Sequence, residues 1–128
     1  MITDRKKILC VEDDADSSEL YTAILDGHDI IAVATVKDAV SLIRSERFDL
    51  CLLDYMLVDG TGLEFCLLLK HSNPEMPVLF ISGVPKLAEE LAKELGADGL
   101  IRKASPDFVA SLKNEVYRLL TNVSSANA

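Results

Sequence analysis

Cysteine is scarce: Cys10, Cys51 and Cys66 are all that this 128-residue chain carries. The number is odd, each thiol lies in an apolar run, and none has metal-type spacing. That argues against a disulfide framework and a cysteine-built metal site; the three read as buried free thiols in a reducing, cytoplasmic compartment. Long hydrophobic runs are missing too. No stretch approaches the ~20 apolar residues needed to cross a bilayer, and the opening MITDRKKILC holds none, so no membrane association is expected. Positive charge is in deficit, with 13 Lys and Arg against 21 Asp and Glu and a formal net charge of −8. Direct binding of nucleic acid by the domain as a whole is disfavoured; cations or basic partner surfaces suit it better. Internal repeats, an interdomain linker and a glycine-rich phosphate loop are also lacking.

What remains is a chain 49% hydrophobic and 27% charged, enough for one domain with a sizeable core. We place that domain at residues 1–121, with NVSSANA (122–128) after it as a frayed tail. Along it, short apolar runs of strand length alternate with helical patterns. The strands are KILCV (7–11), DIIAVA (29–34), DLCLLD (49–54), PVLFIS (77–82) and DGLIRK (98–103). Between them lie SSELYTAIL (17–25), TVKDAVSLIRS (35–45) with a capping-box start, GLEFCLLLK (62–70) and KLAEELAKELG (86–96). In the last of these, Leu87, Leu91 and Leu95 form the expected buried stripe, Glu89 and Lys93 pair at i,i+4, and Gly96 stops the helix. A final helix starts at Ser105–Pro106, with Phe108, Leu112, Val116 and Leu119 along one side. The three tyrosines carry no pattern and are read as packing residues.

Five nearly continuous apolar strands, each followed by a helix, predict an α/β fold with a parallel sheet covered on both faces. Right-handed crossovers narrow the choice to a flavodoxin-like, doubly wound (βα)5 arrangement with strand order 2-1-3-4-5. Ligands of such sheets gather at the carboxyl ends of the strands. There the sequence puts Glu12, Asp13 and Asp14 after the first strand and ends the third on Asp54, the fourth on Ser82 and the fifth on Lys103. Acids converging on one rim repel unless a cation sits among them. Hard oxygen ligands without His or Cys point to Mg²⁺. Each residue alone has a plainer reading: a solvated helix cap for the acidic trio, a strand-closing hydroxyl for Ser82, a surface cation for Lys103. Asp54 is the hardest to dismiss, because an apolar strand rarely ends on a carboxylate without use for it.

Four motifs, VEDD, LLDYMLVDGTGLE, ISG and GADGLIRK, each near a strand end and in this order, make the chain resemble the receiver domain of two-component response regulators over nearly its whole length. The resemblance implies a phosphoacceptor and not a turnover enzyme, beyond self-phosphorylation and self-dephosphorylation. Asp54 would take a phosphoryl group from a phosphohistidine of a partner histidine kinase or phosphotransfer protein, and the phosphorylated state would change the surface offered to a downstream protein. Glu12, Asp13, Asp54 and the Met56 backbone carbonyl would hold Mg²⁺, while Ser82 and Lys103 would hold the phosphoryl oxygens. Met56 and Val84 would flank the path of an attacking water. The chain departs from the family pattern at Val58 and Ala104, where prolines are usual, and at Leu100, where an aromatic residue often serves as a signal element. A cis bond before the non-proline Ala104 would cost ~3 kcal/mol, which favours trans. Two rival readings follow: a degenerate receiver acting as a phosphorylation-independent interaction module, and a phosphatase of the haloacid dehalogenase type suggested by Asp59–Thr61. The second lacks the acid that family needs two residues before its Asp-Gly-Thr, where Leu57 stands.

Overall fold

Alternate residues of each long strand serve two different cores. In the computed structural model, which describes residues 5–83 and 86–126, Leu9, Val11, Cys51, Leu53, Val78 and Phe80 enter one cluster. Their neighbours Ile8, Cys10, Leu50, Leu52, Leu79 and Ile81 enter the other. A strand buried on both faces needs no polar alternation, which is why these segments read as continuous apolar runs. The elements in chain order are β1 (Lys7–Val11), α1 (Ala15–Ile24), β2 (Asp29–Val33), α2 (Val36–Ser45), β3 (Leu50–Asp54), β4 (Met56–Leu57), β5 (Gly60–Thr61), α3 (Gly62–Ser72), β6 (Val78–Ser82), α4 (Lys86–Glu94), β7 (Gly99–Arg102) and α5 (Phe108–Ala126).

The five long strands form one parallel sheet in the order β2-β1-β3-β6-β7. This is the expected doubly wound order, since β6 and β7 are its fourth and fifth strands. Residues of α1 and α5 pack on one face, through Tyr21, Leu25, Leu112, Val116 and Leu119. Those of α2, α3 and α4 pack on the other, through Ala39, Phe65, Cys66, Leu69 and Ala92. The three thiols are free and buried.

Several local expectations change. The turn after β3 is a two-stranded antiparallel hairpin, with Met56 opposite Thr61 and Leu57 opposite Gly60. Of the expected leucine stripe, Leu95, just past α4, packs partly buried against the core, but Leu91 is 43% exposed, while Glu89 and Ala92 are buried. The Leu87 side chain lies outside the described residues. Glu89 turns inward because it pairs with Arg102 at 2.7 Å across to β7, not with Lys93. Gly96 does stop this helix, with φ +104 and the paired bonds Ala97 N–H to the Ala92 carbonyl and Gly96 N–H to the Lys93 carbonyl.

The last helix begins at Phe108, not at Ser105–Pro106, which form a turn ahead of it; the Ser105 hydroxyl there accepts from the Asp107 amide at 3.3 Å. Its backbone then continues to Ala126, through most of the expected 122–128 tail. No Gly or Pro stands between Phe108 and Ala126 to stop propagation. Of the three tyrosines, Tyr21 is buried against Phe108, with ring centroids 5.7 Å apart, whereas Tyr117 is exposed.

The chain leaves β3 for α3 through a very close approach. The Gly62 amide donates to the Tyr55 carbonyl at 2.6 Å. A Cβ on Gly62 would lie 2.1 Å from the Asp54 carbonyl oxygen and 3.0 Å from the Phe80 ring. Both neighbours are core, so Gly62→Ala has no cheap escape. We expect it to lower unfolding free energy by ~2–3 kcal/mol in urea titrations, as overpacked cores do.

Candidate functional site

Each candidate side chain is delivered by the end of a strand or the residue just beyond it. Val11 ends β1, and Glu12 follows at once, its amide bonded to the Val33 carbonyl at 3.0 Å so that β2 fixes its direction. Asp13 comes next and is exposed. Asp14 turns away to cap α1, where its carboxylate accepts from the Ser17 amide at 3.0 Å. The plain capping reading therefore holds for Asp14 alone. Asp54 is the last residue of β3 and only 7% exposed. Ser82 ends β6, buried, and pairs in register with Arg102 of β7. Lys103 follows Arg102, with its amide on the Ser82 carbonyl at 2.9 Å.

These residues meet. Oxygens of Glu12, Asp13 and Asp54 lie within 4.8 Å of one another, a cluster able to hold a metal ion. The Lys103 ammonium stands 3.3 Å from Glu12 Oε1 and 3.4 Å from Asp54 Oδ1. The Tyr55 amide donates to the same Asp54 Oδ1 at 2.9 Å. Among the described residues, both of these Asp54 contacts fall on one oxygen, so Oδ2 carries the vacant lone pairs. Glu12 also receives the Asp14 amide on Oε2 at 3.1 Å and, at 3.4 Å, the Tyr21 hydroxyl on Oε1. The role of Tyr21 beside Glu12 is not visible in the sequence; nine residues separate them, and only the docking of α1 brings them together.

The electrostatics follow from burial. Loss of water pushes the Glu12 carboxyl up to about 6, and the nearby Asp54 charge pushes the same way. The Asp14 amide and Lys103 pull it back only in part. Burial opposes the charged form of Lys103, but Asp54 and Glu12 outweigh it and hold its ammonium above the usual lysine range. Cys10, beneath the site, is pushed to about 12 by burial first and then by the two carboxylates, which makes it an inert thiol.

Met56 lies two residues past Asp54 in β4, 57% exposed. Val84, the other expected flank of the water path, lies outside the described residues. Leu100 packs partly buried against the core beside α4. No described peptide bond is cis, Lys103–Ala104 included. Asp59, read earlier only within a phosphatase motif, sits at the hairpin tip and accepts from the Val36 and Lys37 amides at 2.8 and 3.0 Å. Its acceptors' donors are more than twenty residues away, so no local sequence signal could have found the contact.

Comparison with known proteins identifies the family. Residues 8–112 match the family model of the response regulator receiver domain. The DNA-binding response regulator MtrA of Mycobacterium tuberculosis is 33% identical over 105 residues, 80% of this chain and 46% of its own length. LuxO, a luminescence regulatory protein of Vibrio campbellii, is 32% identical over 88% of this chain and 26% of its own length. The chain thus spans half or less of these curated relatives. A CheY-like receiver domain from Methanospirillum hungatei superposes with TM-score 0.89 at 25% identity, covering 96% of this chain and 99% of that one. The BeF3-activated DrrB receiver domain superposes with TM-score 0.83 at 26% identity, covering 92% and 99%.

The raised Glu12 carboxyl carries a definite sign. The folded state holds its proton to about pH 6, the unfolded chain only to about 4.5, so rising pH across that window removes stability. In metal-free buffer, Glu12→Gln should therefore gain thermal stability over the parent at pH 8, with a smaller difference at pH 4. Melting scans of both proteins at the two pH values check this.

Proposed function

Because the chain belongs to the response regulator receiver family, we propose that it is the phosphoacceptor of a two-component pathway and that Asp54 is the residue modified. The observation that carries this reading is the meeting of Glu12, Asp13 and Asp54 within 4.8 Å, with the Lys103 ammonium against two of them. The donor set fits Mg²⁺, since all three ligands are carboxylate oxygens and neither imidazole nor thiolate is among them. Glu12, Asp13, Asp54 and the Met56 carbonyl would hold the ion, whose contribution when bound is to offset negative charge on the phosphoryl oxygens.

The chain's own residues do the rest. Asp54 attacks through Oδ2, the oxygen not engaged by Tyr55 and Lys103. A P–O bond forms as the P–N bond of a partner phosphohistidine breaks, and the imidazole nitrogen leaves with the bonding pair. Lys103 offsets charge on the nucleophile before transfer and on the phosphoryl group after it. Ser82, at the end of the neighbouring strand, supplies a short hydroxyl toward the same group. The chain is accordingly an acceptor with self-phosphorylation and self-dephosphorylation chemistry, and not an enzyme that turns over a separate substrate. Its partners are a sensor histidine kinase or histidine phosphotransfer protein upstream and a protein target downstream, in the cytoplasm. Among the described residues no helix is long and apolar enough to cross a membrane.

Lifetime follows from Met56. Its thioether offers an attacking water no useful hydrogen bond, and its exposed side chain stands two residues past the acceptor. The phosphoryl group should decay slowly, which suits a lasting signal or a relay store.

Incubated with Mg²⁺ and acetyl phosphate, the protein should gain one acid-labile phosphoryl group, seen by intact mass. Asp54→Asn should gain none; labelling that survives this change would overturn the assignment and favour a plain interaction module. In a chase after donor removal, Met56→Asn should speed loss of label about tenfold, the usual worth of one positioning interaction. Equal decay in both proteins would show that this side chain does not set the lifetime.

A further inference from the structure

The N-terminus of α2 is completed by a residue that does not belong to it. A helix leaves its first amides without intrahelical acceptors. Here the Asp38 amide goes to the Thr35 hydroxyl at 3.1 Å, the expected local cap. The two amides before it, Val36 and Lys37, go to Oδ1 and Oδ2 of Asp59. An aspartate in a tight turn commonly bonds its own backbone two residues on; this one spends both oxygens on another element. The backbone donors hold its carboxyl below the usual range, in keeping with a settled contact.

That contact fixes one end of a short lever. The β4–β5 hairpin has Val58 and Asp59 at its tip and is joined to Asp54 by the single residue Tyr55. Its return strand is tied to α3 by a capping box, with the Thr61 amide on Glu64 Oε1 at 2.8 Å and the Glu64 amide on Thr61 Oγ1 at 3.3 Å. Gly60 lies so close to both supports that an added Cβ would meet Glu64 at 3.1 Å and Val36 at 3.5 Å. The hairpin is thus held between two helix N-termini, and Met56 is on its outgoing strand. Without the Asp59 anchor the Met56–Thr61 pairing and the Gly62–Tyr55 bond would remain, while the tip would lose its tie to α2 and the Met56 segment one of its restraints.

We propose that Asp59 is a positioning residue for the cation-binding end of the Asp54 site, acting by docking the hairpin that carries Met56 onto the start of α2. This rests on the Mg²⁺ reading given above. It also makes the seating of α2 part of the site, because any displacement of that helix start is passed to the Met56 carbonyl through Asp59.

The test is Mg²⁺ titration by calorimetry at 150 mM salt on the parent, Asp59→Ala, Asp59→Asn and Thr35→Ala proteins, with thermal melts alongside. Thr35→Ala removes a cap from the same helix but leaves the hairpin anchored and every charge in place. Asp59→Asn removes the charge but keeps one acceptor oxygen. We expect Asp59→Ala to weaken Mg²⁺ binding about tenfold, as loss of an outer orienting contact does. Asp59→Asn should fall between it and the parent, and Thr35→Ala should bind like the parent while melting lower. Equal affinity of Asp59→Ala and the parent overturns the proposal. So does Thr35→Ala weakening binding as much as Asp59→Ala, which would mean that helix stability alone matters. Asp59→Asn as weak as Asp59→Ala also overturns it, leaving only long-range charge. Should Asp59→Ala fail to fold, Asp59→Asn against Thr35→Ala decides by the same comparison. A parent that binds no Mg²⁺ removes the functional reading itself, and this inference with it.

Discussion

Glu12 and Asp54 share one water-poor corner, and that crowding is the constraint on which the arrangement around them depends. Two unit charges about 5 Å apart at an effective dielectric of ~20 repel by ~3 kcal/mol, before any desolvation is counted. Lys103 is the resident answer, within 3.4 Å of both carboxylates. It answers only in part: burial first, and then the Asp54 charge, still hold the Glu12 carboxyl near 6.

Holding that corner open falls to backbone, not to side-chain bulk. Glu12 is aimed by the β2 carbonyl of Val33, and Lys103 by the β6 carbonyl of Ser82. Asp54 is aimed by the amide of its own neighbour, Tyr55. Below it, Gly62 lets α3 start almost in contact with the Asp54 carbonyl. These are main-chain contacts on a sheet buried on both faces, which makes the acidic corner stiff. Further out, Glu89 of α4 and Arg102 of β7 tie helix to strand. That pair joins a buried carboxylate to a largely exposed guanidinium at 2.7 Å. Removing one partner would leave the other carboxylate or guanidinium uncompensated, so the pair fixes how α4 lies on β7.

Much of this was legible before any coordinates. Strand and helix order and the parallel sheet follow from period and length of apolar runs, because a strand buried on both faces reads as a continuous apolar run; right-handed crossovers then narrow the order of the long strands to 2-1-3-4-5. The strand-end residues could be named for the same reason: an abrupt polar residue after an apolar run marks the rim. Errors fell where one local rule had two physical solutions. In α4, Leu91 turns outward while Glu89 turns in to Arg102, a contact with another element that no i,i+4 rule shows. The last helix outran its expected end because nothing in 108–126 breaks it.

The sequence by itself determined which chemical groups arrive at one edge: carboxylates after β1 and β3, a hydroxyl after β6 and an ammonium after β7. Their identity and order along the chain are local properties, and the topology rules carry them to the same rim. Tertiary structure alone decided how they bear on one another: that Lys103 touches both Glu12 and Asp54, that Tyr21 reaches Glu12, and that Asp59 closes the start of α2. These contacts join residues from 9 to 91 positions apart, as between Tyr21 and Glu12 and between Lys103 and Glu12. Their distances are set by how helices seat on a finished sheet. Packing has no short-range period in the chain, so it leaves no local pattern to read.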